Sequence, residues 1–261
     1  MTHQVMEKRM KAVLRELAQA RRHYSGLPLF EFLRSESIPA RDRLAFYPCM
    51  APFILASSDL NRFVLRDEAS DDPHQKLLNE RTYEDDHHWP WYLDDFAKLG
   101  FDRSASITQV LRSYMKDDAR ESRMLGARLA QLLQGATPVE KLVVVEAIEA
   151  TGNVLFELTS KIAAQLEAAG GPELRYFGRF HFPREPGISL RGYDRSALET
   201  IALSSLERVR CLDLSFRVFD LFADWSAELL GYAKNSLAHR TVPHLVHSTA
   251  GAEERAAKRL S

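Results

Sequence analysis

The segment Thr137–Gly171, TPVEKLVVVEAIEATGNVLFELTSKIAAQLEAAGG, decides how the rest of this chain is read. Thr137-Pro138-Val139-Glu140 is a capping box with proline at the first helical position. The threonine hydroxyl accepts an otherwise orphaned N–H of the first turn, and the glutamate reaches back to the threonine N–H. Gly170-Gly171 supplies the stop, since glycine enters the left-handed conformation that ends helices at little steric cost. Between these signals lie roughly thirty residues, about 45 Å of helix at 1.5 Å per residue. The apolar run Leu142–Val145 would also suit a strand, but it is embedded in a capped, helix-length pattern, and length decides for helix.

The same punctuation recurs along the chain. Asp72-Pro73 followed by Gln75 opens a helix that apolar residues carry to Gly100, with a bend expected just before Pro90 because proline removes a ladder hydrogen bond. Ser196-Ala197-Leu198-Glu199 is a second capping box, and the helical pattern after it (LETIALSSLERVRCLDLSFRVFDLFADWSAELLGYAK) outruns one globular helix, which predicts a break within it. Shorter helices are expected over Leu27–Glu36, Ile107–Met115 and Arg120–Leu133. Ser37 and Pro39 lead into a further helical stretch through Arg41–Arg66. Pro183, Pro186 and Gly187 mark Phe180–Asp194 as an irregular insertion, and the polar tail begins near Ser248. The expected architecture is one all-α domain over residues 1–261, its core at about 20–235, built from about seven to nine helices.

Composition narrows the function. Of 261 residues, 35 are Lys or Arg and 36 are Asp or Glu, a net charge of −1 that offers no global field to a nucleic acid or an anionic membrane. Arg120, Arg123 and Arg128 read as an ordinary solvated helix face with intervening acids. Two cysteines, Cys49 and Cys211, are too few for a cysteine-rich zinc site. With no long apolar window and no apolar signal region, a cytoplasmic protein that engages neither nucleic acid nor membrane is expected. The dense apolar stripe from Leu212 to Trp225 is expected to serve the core and, in part, a homodimer surface.

Three segments carry candidate chemistry. In NERTYEDDHHWPWYLDDF, helical spacing puts Glu80, Glu84, His87 and Trp91 on one face, so two carboxylates and an imidazole can converge, which is metal-ligand chemistry. Glu146 and Glu149 lie in an apolar helical run. Glu149 shares a face with Leu142, Val145, Gly152 and Phe156, and a buried carboxylate there needs a cation, a metal or a proton. In RYFGRFHFPRE, His181 and Glu185 are four residues apart, a spacing that serves two ligands of one metal when the backbone is helical, which Pro183 complicates.

Together these segments resemble the haem-oxygenase-like dimetal oxidases, an all-α family related to the TenA, PqqC and chlamydial CADD-like proteins, over roughly residues 20 to 235. The family pattern is Glu-x6-His, a later helix carboxylate, then His-x3-Asp/Glu, matched here by Glu80 and His87, Glu149, and His181 with Glu185. The resemblance implies a haem-oxygenase-like bundle and an O2-dependent oxidase or oxygenase of a small-molecule metabolite. Its cofactor would be iron, two ions if the site is intact, or else manganese. Glu84 and His88 stand as substitute ligands, and Tyr83, Trp91 and Phe180 as pocket wall. Ile188 departs from the pattern, since dimetal members carry another His there. That departure keeps two other readings open: a non-catalytic helical binding protein on the same fold, and a metal-free TenA- or PqqC-type enzyme, of which the TenA type would use a cysteine nucleophile.

Overall fold

The computed structural model describes residues 9–86, 88–102, 104–181 and 195–241. Two long helices dominate it: α9, Pro138–Ala168, of 31 residues, and α11, Ser205–Thr241, of 37 residues. They pack along one another. At 1.5 Å per residue they run about 46 and about 55 Å. Both sequence signals on α9 are realised. Thr137 and Glu140 form the reciprocal capping box, and Gly170, at φ 82°, and Gly171 return N–H bonds to Glu167 and Leu166.

The remaining helices clothe this pair. α1 (Met10–Tyr24) and α2 (Pro28–Arg34) lie against both long helices, and the short α3 (Ala40–Arg43) follows. The expected helical stretch to Arg66 is interrupted. Pro48 sits in a 3-10 turn, Tyr47–Met50, and Pro52 restarts the chain as α4, Ala51–Leu60, which ends in a π-helical turn, Asn61–Leu65. Each proline lacks the N–H a continuous ladder would need. α5 (Pro73–Asp85) and α6 (Trp89–Lys98) are separate helices, parted just before Pro90. α6 closes on Gly100, at φ 67°, with Gly100 N–H bonded to Ala97 and Phe101 N–H to Phe96, a Schellman motif sealed by the Phe96 and Phe101 rings. α7 (Ile107–Met115) precedes α8 (Arg120–Leu132), where Gly126 lets Ala56 of α4 approach. Eight helices of nine residues or more result among the described residues, and no strand.

The predicted break falls between α10 (Arg195–Thr200) and α11. There Ala202 bridges Arg9, and Met10 N–H bonds Ile201 O at 2.8 Å. A second capping box reopens the helix: Ser204 N–H donates to Glu207 at 2.7 Å, and Glu207 N–H to Ser204 Oγ at 3.2 Å. α11 then buries Cys211, Ser215, Val218, Phe222, Trp225 and Leu229, a stripe of alternating four- and three-residue steps. Phe216, expected in the core, is exposed. The buried apolar residues from Met10 to Ala233 form one cluster. No helix among the described residues is long and apolar enough to cross a membrane. Arg128 pairs with Glu121, and Arg123 donates to the carbonyls of Tyr114, Lys116 and Ala119, so α8 uses these cations within the fold.

Candidate functional site

The inward face of α5 is Gln75, Leu78, Asn79 and Thr82, all buried. Glu80 stands on the opposite side and is exposed. Because the helix stops at Asp85, the i, i+3, i+7 register does not carry from Glu80 to Trp91. Nearby, Arg66 donates to Thr82 Oγ1 at 2.9 Å, pairs with Asp86 at 2.7 Å and lies over the Tyr83 ring. Tyr83 is half exposed and hydrogen-bonds Glu68, so it is held at the surface by this group. His87 and Glu185, with Ile188, lie outside the described residues, as does the side chain of Glu84.

Two imidazoles from distant parts of the chain do meet. His88, the residue before α6, stacks on Trp91 at 4.6 Å, and its ring centroid is 4.4 Å from that of His181. His181 also contacts Phe156 of α9 at 4.3 Å, Tyr176 at 5.1 Å and Trp91 at 5.9 Å, while Phe180 meets Trp91 edge-on at 4.9 Å. The result is a histidine pair walled by aromatic rings, where α6, α9 and the Leu174–His181 segment come together. Glu149 is half-buried on α9, seven residues and about 10 Å along the axis before Phe156 and on the same side of the helix. Its neighbour Glu146 pairs with Arg81 of α5 in a nearly dry contact.

The tautomer of His181 follows from its partner. Nδ1 lies 2.9 Å from the Tyr176 carbonyl oxygen, which can only accept, so Nδ1 carries the proton and the lone pair of the neutral ring is on Nε2. Metal-binding histidines commonly anchor the far nitrogen on a carbonyl in this way. Among the described residues no three His, Cys, Asp or Glu side chains are gathered as a metal site.

Asp95 underlies this arrangement and is not singled out by its sequence context. It is fully buried on α6, and its carboxylate accepts N–H bonds from Arg175 at 2.7 Å, Tyr176 at 2.8 Å and Phe177 at 3.1 Å. Burial raises its pKa above the ordinary aspartate value, against the opposing pull of the three N–H donors. The available signal was periodicity, since Tyr92, Asp95 and Leu99 form one inward stripe and an acid on such a stripe must have partners. Tyr47 and Tyr92 lock the floor below, each hydroxyl donating to the other's carbonyl, at 3.0 and 2.7 Å, with rings stacked at 4.5 Å.

Both cysteines are buried in the core, and burial pushes each thiol up to about 12. A thiol so held is protonated at neutral pH and shut off from substrate, which gives no support to a cysteine nucleophile. Accordingly, a thiol-specific disulfide reagent at pH 8 is expected to label neither Cys49 nor Cys211 in the native protein and both after unfolding in guanidinium. Rapid native labelling of either would restore the nucleophile reading.

No protein-family model matches this chain, and no curated protein sequence matches it. The fold and site define an all-α protein with a paired-histidine, aromatic-walled centre.

Proposed function

We propose that this protein is an O2-dependent, non-haem iron oxidase or oxygenase of a small organic substrate, with manganese as the alternative metal. One observation carries the reading. The His181 ring is fixed by a backbone carbonyl with its Nε2 lone pair directed by that bond, and it lies against a second imidazole, His88, among aromatic rings. Imidazole is a donor suited to Fe(II) or Mn(II), and the two rings supply the start of such a set; among the described residues no carboxylate is gathered with them, since Glu149 lies about 10 Å along α9 from Phe156. His181 and His88 are the ligands of this reading, with His87, Glu149 and Glu185 as the further candidates the sequence supplies. When bound, the metal would supply O2 activation.

The chain's own contribution is positional. The Tyr176 carbonyl sets the His181 tautomer, and Asp95 fixes the backbone that presents Tyr176. Trp91, Phe156, Tyr176 and Phe180 offer apolar ring surface to a substrate.

Elemental analysis of protein from iron-supplemented cells, and after anaerobic Fe(II) loading, tests this. Near-stoichiometric iron or manganese is expected, lost in His181→Ala and reduced in His88→Ala and Glu149→Ala, while thermal unfolding confirms that the variants fold. Protein that stays metal-free after anaerobic loading would overturn the assignment and leave a helical binding protein on this scaffold.

A further inference from the structure

On the far side of α9 from Phe156 and Glu149, the C-terminal turn of α1, α2, α3 and the second half of α9 enclose a cleft of about 420 Å³. That volume is in the range of small-molecule sites. Five cations line it, Arg21, Arg22, Arg34, Arg43 and Lys161, against two carboxylates, Glu36 and Glu157. In a chain whose overall charge is −1, this local excess of positive charge calls for a reason. Its inner wall is apolar, made by the buried Leu33, Val154, Leu158 and Ile162.

The two acids do not settle the account. Glu157 is shared, 3.5 Å from Arg21 and 3.1 Å from Lys161. Arg43 is only 5% exposed, yet its hydrogen bonds go to neutral acceptors, the Leu33 carbonyl at 3.0 Å and the Gln165 side-chain amide oxygen. Among the described residues it makes no ion pair, and its Nε, like that of Arg21, is buried without an acceptor. Arg34 likewise spends a donor on the Ser25 carbonyl, at 2.8 Å. Glu36 acts on Arg43 only through its field, and burial still outweighs it; a buried guanidinium that touches no counter-charge is costly, and proteins keep such groups where an anion compensates them.

We propose that this cleft binds a small organic anion, a molecule with a phosphate or carboxylate head and an apolar body. The head meets Arg22, Arg34 and Lys161 at the mouth under the field of Arg43, and the body lies on Leu33, Val154, Leu158 and Ile162. The site lies round α9 from the histidine centre, by about 150° from helical periodicity, and so is separate from it and independent of the metal.

Isothermal titration with phenyl phosphate, 3-phenylpropionate, inorganic phosphate and benzyl alcohol tests the proposal. At least one of the two aromatic anions is expected to bind, and which one identifies the preferred head. Inorganic phosphate binds more weakly for want of an apolar body, and benzyl alcohol does not bind. The double variant Arg22→Ala/Lys161→Ala touches only exposed side chains, and should weaken binding about tenfold or more with an unchanged melting temperature. Arg43→Gln should abolish binding, and the double variant decides the matter if that protein fails to fold. His181→Ala should bind the anion as the parent does. Absence of binding by both aromatic anions at millimolar concentration, or equal affinity in the double variant, would overturn the proposal.

Discussion

Replacing Asp95 by Ala is expected to lower the unfolding free energy by about 4 kcal/mol, because three buried N–H donors then lose their acceptor, at about 1–3 kcal/mol each. The donors belong to consecutive residues, Arg175 to Phe177, so the loss is concentrated on the segment that carries Tyr176 and His181. Asp95→Asn should cost roughly half as much, about 2 kcal/mol, since one amide oxygen still accepts while the NH2 group opposes an N–H. Urea denaturation of the three proteins reads both values. The pH dependence has a definite sign. Burial raises the folded-state pKa above that of the unfolded chain, so the folded protein holds this proton more tightly, and the contribution declines as pH rises through the folded value. The gap between parent and Asp95→Ala should therefore be widest at the acid end and narrow toward neutrality. A gap below about 1 kcal/mol would show that the Arg175–Phe177 turn does not depend on this carboxylate, and one that widens with pH would show that the three N–H donors outweigh burial and hold its pKa below the unfolded value. Asp95 is a positioning residue in the proposed metal centre, so Fe(II) affinity should fall in Asp95→Asn under conditions where that variant is fully folded.

The helices were legible because their signals are local. Thr137 and Glu140, Asp72, Gly100 and Gly170 each act within one turn of their own position, and each appears in the structure with the bond that its residue type demands. The break before α11 was foreseen, but its place turned on two near-identical boxes eight residues apart, Ser196–Glu199 and Ser204–Glu207, and the periodicity beyond them does not say which opens the long helix. The interruption between Arg43 and Ala51 was hidden for a different reason, since Pro48 and Pro52 each tolerate a first helical turn, and only their succession forces separate pieces.

The candidate site was less legible. Assigning Glu80 to the interior assumed that one helix runs from Asp72 past Trp91, so that spacing could be counted through. The helix ends at Asp85, and the inward face belongs to amides and a hydroxyl, Gln75, Asn79 and Thr82, rather than to the acids. Gln75 Nε2 bonds the Leu65 carbonyl at 2.9 Å and Asn79 Nδ2 the Asp67 carbonyl at 2.7 Å, so this face ties down the preceding loop. Pairing His88 with His181 depends on how α6 and the Leu174–His181 segment meet, which is tertiary information. Arg43 and Arg21 carried no sequence signal either, because a cationic cleft assembled from four helices has no spacing to read.

Glu228 gives the second large effect and the clearest case of a contact that spacing cannot reveal. It lies on α11, yet its carboxylate accepts the N–H groups of Glu121 at 2.6 Å and Ser122 at 2.8 Å, the first turn of α8. Residue 119, the N-cap, is alanine and has no side-chain acceptor, so α8 borrows its cap from another helix. The negative charge also faces the positive end of the α8 dipole. Around it, Trp225 Nε1 donates to Ser122 Oγ at 2.8 Å and the Cys49 thiol lies 3.5 Å from the same oxygen, so the cap joins α8, α11 and the 3-10 turn at Tyr47–Met50. Glu228→Ala should lower stability by about 3 kcal/mol, from two partly buried donors without acceptors together with the lost charge-dipole term. Glu228→Gln, which keeps one acceptor and removes the charge, should cost about half of that. Trp225 is buried in this network, so its fluorescence gives the loss a local report. In Glu228→Ala the α8 amides should exchange with solvent faster than those of α9 under native conditions. Equal protection of the two helices, with stability unchanged, would mean that α8 holds its first turn without Glu228.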